Sequence, residues 1–496
     1  MKPNSPRRAK VISEADLPEA IRQWSKRYEC DCACPATLQG AMAESVSALD
    51  LASTALMQAP DAISLRLDAD HTAWFNPVMM GGVVVANQPA CELLRRFEQP
   101  APLKTASQAE KPYLEHAVEK FLQAGILEQA GEELCTRFRE EDALSAWLQV
   151  TDSCNLRCSY CYIQKSQARM SQSTGAAALE ALFSSAKRYA FKALRIKYAG
   201  GEPSLNSGLV LWLHDYAERL SSAYGVTFQD VLLSNGVSLS PRFMQELKAR
   251  QVAVMISLDG VGAPHDAQRP LANGSGSFIK VQQTIERLMS LGVNPHLSLT
   301  LTRRNLAHLD ETVQFALERG LTFSLNFYRQ CDLGQAGLEF DHQAMIHALR
   351  RALKVIEDNL PPWSLLGVVL DRGQLLEPRL RACGMGQSYV VINASGQVSQ
   401  CHMTMTHALG DVLSADPCEL IRQAGEDVNP PVTQREGCRE CPWRFGCSGG
   451  CALMAQKTGG DKVGRSPYCA IYQFLYPEAL RLEGLRLLKY TGEAIH

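Results

Sequence analysis

From residue 146 onward the sequence predicts an α/β fold, a parallel sheet with helices outside it. Two observations carry this. Strand-like and helix-like segments alternate six times, and each chemically distinctive motif follows directly after a strand-like segment. The strands are read at Trp147–Thr151, Leu194–Ala199, Val231–Leu233, Ala253–Leu258, His296–Leu301 and Thr322–Phe327. Helical periodicity lies between them, for example over Ala178–Tyr189, Val210–Ser221 and Phe278–Leu291. Repeated βα units imply a parallel sheet covered by helices. Six units fall short of the eight of a closed barrel, and sites in such folds sit at the C-terminal ends of the strands.

Composition bounds the possibilities. With 496 residues the chain exceeds one hydrophobic core, so two or three domains are expected. A hydrophobic content of 46% and a charged content of 21% suit an ordinary globular protein, and a net charge of -2 argues against a nucleic-acid partner. No apolar run approaches the roughly 18 residues that span a bilayer, so no membrane partner is expected. Basic Met1–Lys10 leads into Glu14, Asp16 and Glu19 rather than an apolar stretch; no secretory signal is read and a cytoplasmic location is expected. Seventeen cysteines, several at Cys-x2-Cys and Cys-x3-Cys intervals, fit iron–sulfur ligation in a reducing compartment better than a disulfide framework.

In chain order, residues 1–60 form an N-terminal extension with Cys30, Cys32 and Cys34 and an Ala-rich helical stretch. Alternate side chains of an extended segment face opposite ways, so these thiols converge only across a turn, and ordinary thiols are favoured over ligands. Over residues 61–135, strand-like Ile63–Leu67, Thr72–Phe75 and Val83–Ala86 precede helix-like Ala90–Phe97 and Tyr113–Ala124, which end in Gly125-Ile-Leu. This layout resembles the PqqD-like peptide-recognition domain, a small winged-helix module that captures leader peptides. The resemblance implies strand addition at an exposed edge, here Val83–Val85, with Ala117–Ala124 as the groove wall. A plain packing domain is the alternative.

Ala146–Thr151 reads as a buried strand, and the loop after it carries Cys154-Asn-Leu-Arg-Cys158-Ser-Tyr-Cys161. Three thiolates can hold three irons of a 4Fe–4S cube and leave the fourth iron open. A structural zinc site would want four closed ligands, and no fourth Cys or His lies nearby. The stretch resembles the radical S-adenosylmethionine (SAM) signature, with Tyr160 as the aromatic residue before the last cysteine. That family has a partial (β/α)6, TIM-like barrel. The resemblance implies that SAM binds the open iron and is cleaved to a 5′-deoxyadenosyl radical.

After the second strand, Gly200-Gly201-Glu202-Pro203 offers close backbone approach and a carboxylate that can accept from an ammonium. It resembles the family's GGEP motif, which holds the SAM amino group. The fourth strand ends in Ser257-Leu-Asp259-Gly260, followed by His265-Asp266-Ala-Gln-Arg269. This is similar to a signature of radical SAM proteins that modify peptides and proteins, and it implies Ser257 on the ribose and Arg269 toward the SAM carboxylate. Ser234 and Asn235 after the third strand and Leu325 in the sixth are further expected contacts. Asp259 and Asp266 fit turn chemistry equally well.

The C-terminal cysteines are Cys383, then Gly396-x4-Cys401, then Cys438-x2-Cys441-x5-Cys447-x3-Cys451, and Cys469. These intervals resemble the SPASM motif of radical SAM enzymes with two auxiliary 4Fe–4S clusters. The resemblance implies that Cys438, Cys441, Cys447 and Cys469 complete one cluster, while Cys383, Cys401 and Cys451 give three ligands to the other. Some relatives have a fourth cysteine six residues before the first; here Glu377 stands there, leaving an unusual ligand or an open iron. Cys331 and Cys418 read as buried spare thiols. Anaerobic sulfatase-maturing enzymes share this architecture but place a catalytic aspartate where this chain has His402. That residue is a candidate base or an outer contact of the cluster.

The domains expected are 1–60, 61–135, the barrel over 146–330, connecting helices over 331–380, the SPASM domain over 381–475 and a C-terminal helix over 476–496. The function implied is radical SAM modification of a ribosomally made peptide or protein through three 4Fe–4S clusters, forming a thioether or carbon–carbon crosslink. Flavodoxin or ferredoxin would supply electrons. The rivals are a maturase of one partner enzyme, such as a sulfatase or quinohemoprotein subunit, and a non-catalytic iron–sulfur scaffold.

Overall fold

The computed structural model describes residues 8–25, 49–104, 110–132, 138, 142–424, 428–457 and 464–493. Cys30, Cys32 and Cys34 lie outside them. The chain opens with β1 (Val11–Ile12) and α1 (Glu19–Ser25). Then come β2 (Leu56–Gln58), β3 (Ile63–Arg66), β4 (His71–Phe75), β5 (Val84–Asn87), α2 (Gln88–Arg95), α3 (Lys111–Gln123) and β6 (Leu127–Gln129). β2 pairs with β6, and the other strands form an antiparallel sheet in the order β1-β5-β4-β3. Strand alternation gives this sheet two buried faces. Val84 and Ala86 join Leu93, Leu94 and Phe121 of the helices, whereas Ala73, Phe75 and Val85 turn into the main core.

One expectation is corrected here. Val83–Val85 is not a free edge, because the chain's own N-terminal segment pairs with it, Val11 opposite Ala86 and Ile12 opposite Val85. Lys120 of α3 donates to the Val11 carbonyl at 2.8 Å, and Asn87 clamps the same segment by accepting from Lys10 N and donating to Arg8 O. A two-residue strand has no period to read, so its pairing was invisible in the sequence. The sheet's edge strands among the described residues are β1 and β3.

The barrel strands are β7 (Ala143–Thr151), β8 (Ala193–Gly200), β9 (Thr227–Ser234), β10 (Ala253–Ser257), β11 (His296–Leu301) and β12 (Phe323–Phe327). Each is parallel to its neighbour in sequence order. All nine residues of β7 are buried, as expected of a strand covered on both faces. The outer helices are α4 (Gln172–Arg188), α5 (Ser207–Tyr224), α6 (Pro241–Ala249), α7 (Ala263–Gln268), α8 (Phe278–Ser290) and α9 (Leu309–Glu318). Ser171 and Ser240 cap α4 and α6 by accepting from Thr174 N and Phe243 N.

Beyond the barrel, a single helix, α10 (His342–Asp358), precedes a non-helical run to residue 388, where connecting helices were expected. β13 (Tyr389–Ile392) then pairs parallel to β7, and β14 (Gln397–Ser399) and β15 (Gly410–Asp411) extend that edge antiparallel. The sheet therefore has nine strands, three of them from the cysteine-rich region. α11 (Pro417–Gln423), α12 (Arg444–Cys447) and α13 (Ala452–Lys457) follow, and α14 (Cys469–Thr491) begins at Cys469 itself. α14 packs on α10 and on β3, β4 and β5, so it is apolar on nearly every side. Its one buried ion pair, Arg486 with Glu483, also reaches Glu14 near β1. Among the described residues no helix is long and apolar enough to cross a membrane.

If β1 is an integral strand, Ile12→Ala should cost about 2–4 kcal/mol in chemical denaturation, because Ile12 is buried in the main core. A loss below about 0.5 kcal/mol, the range of a surface substitution, would show β1 to be peripheral.

Candidate active site

The strand ends converge on one cavity of about 220 Å³. β8 ends in the glycine pair, whose value lies in close packing. A Cβ on Gly201 would stand 2.4 Å from Ser153 O, and one on Gly200 2.3 Å from Thr151 O. With no side chains in the way, Gly201 N donates to Thr151 O at 2.7 Å and Glu202 N to Ser153 O at 2.8 Å. The turn is thereby stitched to the stretch that leads into Cys154.

Glu202 is fully buried, and its carboxylate accepts from Ser204 N, Ser234 Oγ and Asn235 N at 3.0, 2.8 and 2.7 Å. Burial raises its pKa above the ordinary carboxylate value, and these neutral donors only partly offset that. A buried carboxylate served by neutral donors is short of a cation, and an amino-acid ammonium fits the need. Asn235 also donates to Asn155 Oδ1 at 2.8 Å, tying the third strand's end to the cysteine loop.

The HDxxR segment folds back beneath that loop. Arg269 pairs with Asp259 at 3.4 Å and donates to the Tyr160 hydroxyl, which itself donates to Asp259. The other Asp259 oxygen accepts from Thr300 N at 2.8 Å. His265 Nδ1 accepts from Asp259 N, and burial depresses its pKa to about 3, so it is a neutral structural group. Asp266 caps α8 by accepting from Ser277 N and Phe278 N. The structure thus brings Tyr160, Asp259 and Arg269 into one buried knot behind Cys158, whose thiol burial pushes up to about 11.

Cys154, Cys158, Cys161, Ser257, Ser234 and Asn235 all line the cavity. Leu325 does not; it packs in the hydrophobic core, and strand alternation gives the neighbouring Asn326 to the cavity instead. Arg329, Arg372 and Lys165 also line it, with Lys165 Nζ 3.0 Å from Cys161 Sγ. None of these three belongs to a motif, and a single basic residue carries no periodic or spacing signal.

The C-terminal cysteines fall into two groups. Cys383, Cys401 and Cys451 lie within one another's electrostatic reach, as do Cys438, Cys441, Cys447 and Cys469. Glu377 acts electrostatically on the buried Arg379, which in turn acts on Cys383. Among the described residues no three of these sulfurs converge within 4.8 Å, as a single ion would require. Cys331 rests 3.7 Å from Tyr160 O, and Cys418 is fully buried.

His402 lies at the cavity's C-terminal side, stacked on Trp147 at 4.8 Å with Nδ1 2.9 Å from the Tyr389 hydroxyl. Burial, with Arg372 and Arg329 nearby, holds its pKa well below the usual imidazole value.

A cysteine loop, a buried carboxylate and a cavity thus meet at the strand ends of an open α/β barrel. Residues 148–316 match the radical SAM superfamily, and the chain carries a radical SAM domain. The mycofactocin maturase MftC of Mycolicibacterium smegmatis is 28% identical over 338 residues, 65% of this chain and 81% of that one. The structure of anSMEcpe with bound AdoMet superposes with a TM-score of 0.57 at 17% identity, covering 71% of this chain and 100% of that chain. Streptococcus suis SuiB bound to precursor peptide SuiA gives 0.51 at 14% identity, covering 84% and 99%. At such identities the two structures show a shared fold. The chain spans 58% to 94% of the lengths of the curated relatives it matches.

Glu202→Gln separates the carboxylate's cost from its use. Its folded-state pKa is raised, so ionised Glu202 subtracts stability once pH rises above the unfolded value near 4.5. At pH 7 the empty Gln variant should melt no lower than wild type, yet bind SAM at least about tenfold more weakly in equilibrium dialysis, as expected for loss of a charged hydrogen-bond partner. Unchanged SAM affinity would remove Glu202 from the ammonium site.

Proposed function

We propose that this protein is a radical SAM enzyme that modifies a ribosomally made precursor peptide or protein, closing a thioether or carbon–carbon crosslink. The observation that carries the reading is the uncompensated Glu202 carboxylate beside Cys154, Cys158 and Cys161 in one strand-end cavity. MftC is named a maturase, and SuiB has been solved with its precursor peptide. A non-catalytic electron carrier would have no use for a buried cation receptor of this kind.

Bound clusters and SAM would supply one-electron chemistry here, a hydrogen-abstracting radical at the first cluster and a sink for the surplus electron at the auxiliary ones. The protein's own part is holding and excluding. Glu202, with Ser234 and Asn235 behind it, fixes the ammonium end of SAM. Ser257 and Arg269 are assigned to the remainder of that ligand, Arg269 acting also through Tyr160 on the cysteine loop. Trp147, Met255 and Phe327 in the cavity wall keep water from a reactive centre.

His402 is assigned as the proton acceptor. Donation from Nδ1 to the Tyr389 hydroxyl would leave the Nε2 lone pair to take a proton from the substrate. Cys438, Cys441, Cys447 and Cys469 are assigned to one auxiliary cluster and Cys383, Cys401 and Cys451 to the other. Precursor capture by strand addition would fall to β3, the longer of the two edge strands of the N-terminal sheet. A flavodoxin or ferredoxin is the expected electron donor.

Anaerobic reconstitution should yield about 11 to 12 irons per chain, three cubes by the cysteine groups. Replacing Cys154, Cys158 and Cys161 together by Ala should abolish release of 5′-deoxyadenosine from SAM under dithionite while leaving about eight irons. A wild-type content near four would sink the auxiliary-cluster assignment.

A further inference from the structure

We propose that Arg372 is the receptor for a carboxylate carried by the peptide substrate, so that the cavity selects peptides bearing an anion close to the residue being modified. This rests on the reading that the chain modifies a peptide, and it adds the chemical class of substrate that the cavity accepts.

The cavity wall is unbalanced in charge. Among the described lining residues, Lys165, Arg269, Arg329 and Arg372 face a single carboxylate, Glu202, which hydrogen-bonds to Ser204, Ser234 and Asn235 and pairs with none of the four. Three of the four cations have partners. Lys165 lies on Cys161; Arg269 is tied to Asp259 and Tyr160; Arg329 holds both Asp371 oxygens at 2.9 and 2.8 Å and the Phe327 carbonyl at 2.9 Å. Arg372 is 8% exposed, and among the described residues its Nε has no hydrogen-bond partner and no carboxylate pairs with it. A buried guanidinium without a counter-charge is unfavourable, and its persistence calls for an anion that arrives later.

The fold places it there deliberately. The preceding Asp371 adopts a left-handed backbone, φ +50°, which Asp tolerates better than most residues and which its surroundings hold in place. Those surroundings are Phe327 N, Arg329 and the Tyr472 hydroxyl, all donating to the Asp371 carboxylate. The pinned turn delivers Arg372 into the wall and leaves it no share of that carboxylate.

Two other anions compete for the role. Arg372 acts electrostatically on Cys383, Cys401 and His402, so it stands at the end of the cavity formed by the C-terminal region. The carboxylate of SAM shares a carbon with the ammonium assigned to Glu202, and Glu202 acts on Cys154, at the opposite group of thiols from the Cys383 and Cys401 on which Arg372 acts. Cluster thiolates are spherical acceptors, whereas the planar guanidinium fork matches a carboxylate with two parallel hydrogen bonds. A peptide can bring that carboxylate as its C-terminus or on an Asp or Glu side chain.

The test uses the full chain, reconstituted anaerobically, immobilised with SAM and equilibrated with a synthetic pool of acetylated heptapeptides. The pool holds free acids lacking Asp and Glu, C-terminal amides with one Glu, and amides with no carboxylate. Mass spectrometry of the retained fraction should show one or both carboxylate classes enriched about tenfold over the uncharged amides, and the enriched class names the source. Arg372→Gln should erase the enrichment with iron content unchanged, and Arg372→Lys should keep part of it. Equal retention of all classes by wild type, or undiminished enrichment by Arg372→Gln, would overturn the proposal. So would a Gln variant that changes only SAM affinity or the auxiliary-cluster electron paramagnetic resonance spectrum. If wild type releases no 5′-deoxyadenosine under dithionite, the enzymatic reading itself fails; if it cleaves SAM but ignores carboxylates, only the assignment of Arg372 fails.

Discussion

The ion pair between Asp259 and Arg269 is the contact on which the site depends. Both side chains are buried, and breaking such a pair from one side leaves an uncompensated charge at a cost of about 3–5 kcal/mol. Here the pair spans the distance between a strand end and the cysteine loop, because Tyr160 joins it from within the Cys158–Cys161 interval. Thr300 N on the fifth strand's end and Asn305, which donates to the Asp259 carbonyl, fasten the same knot from a third direction. The loop that must present three thiols is held on a fixed frame rather than on its own conformational preferences.

The opposite side of that loop is fastened by backbone. Gly200 and Gly201 let two strand-end segments approach to distances that no Cβ permits, and the resulting hydrogen bonds set the exit direction of the chain before Cys154. The two fastenings differ in kind, one electrostatic and one steric, yet both act on residues 151–160. Preorganisation of this sort lets a site bind a charged ligand without reordering itself at the moment of binding.

The C-terminal region is welded to the barrel in two places. β13 continues the parallel sheet on the free edge of β7, and Asp371 collects donors from β12's end and from α14. Each junction places C-terminal groups, His402 from after β14 and Arg372 from the preceding loop, into the wall of a cavity whose floor belongs to the barrel. The N-terminal sheet is joined as firmly, since α14 covers the face that its own helices leave bare. Three sequence regions therefore share one core.

The barrel strands and cysteine groups were legible because their signals are local. Alternating βα periodicity is set by burial on a repeating unit, and ligand spacing by the reach of a single loop. The cysteine loop, the glycine turn and the SLDG…HDxxR segment could each be read at its place in the chain, and the structure brings them to one cavity. Partnership between distant segments was not legible. That Val11–Ile12 would cover the strand edge expected to be free, that β13 would extend the barrel sheet, and that Asn326 rather than Leu325 would face the cavity all depend on packing between parts far apart in sequence. The same holds for Arg372. The sequence by itself determined where the barrel strands run and where the cysteine groups stand in the chain; only the tertiary structure decided which segments pair and which charges are left without partners, because a counter-charge is a matter of three-dimensional distance and burial.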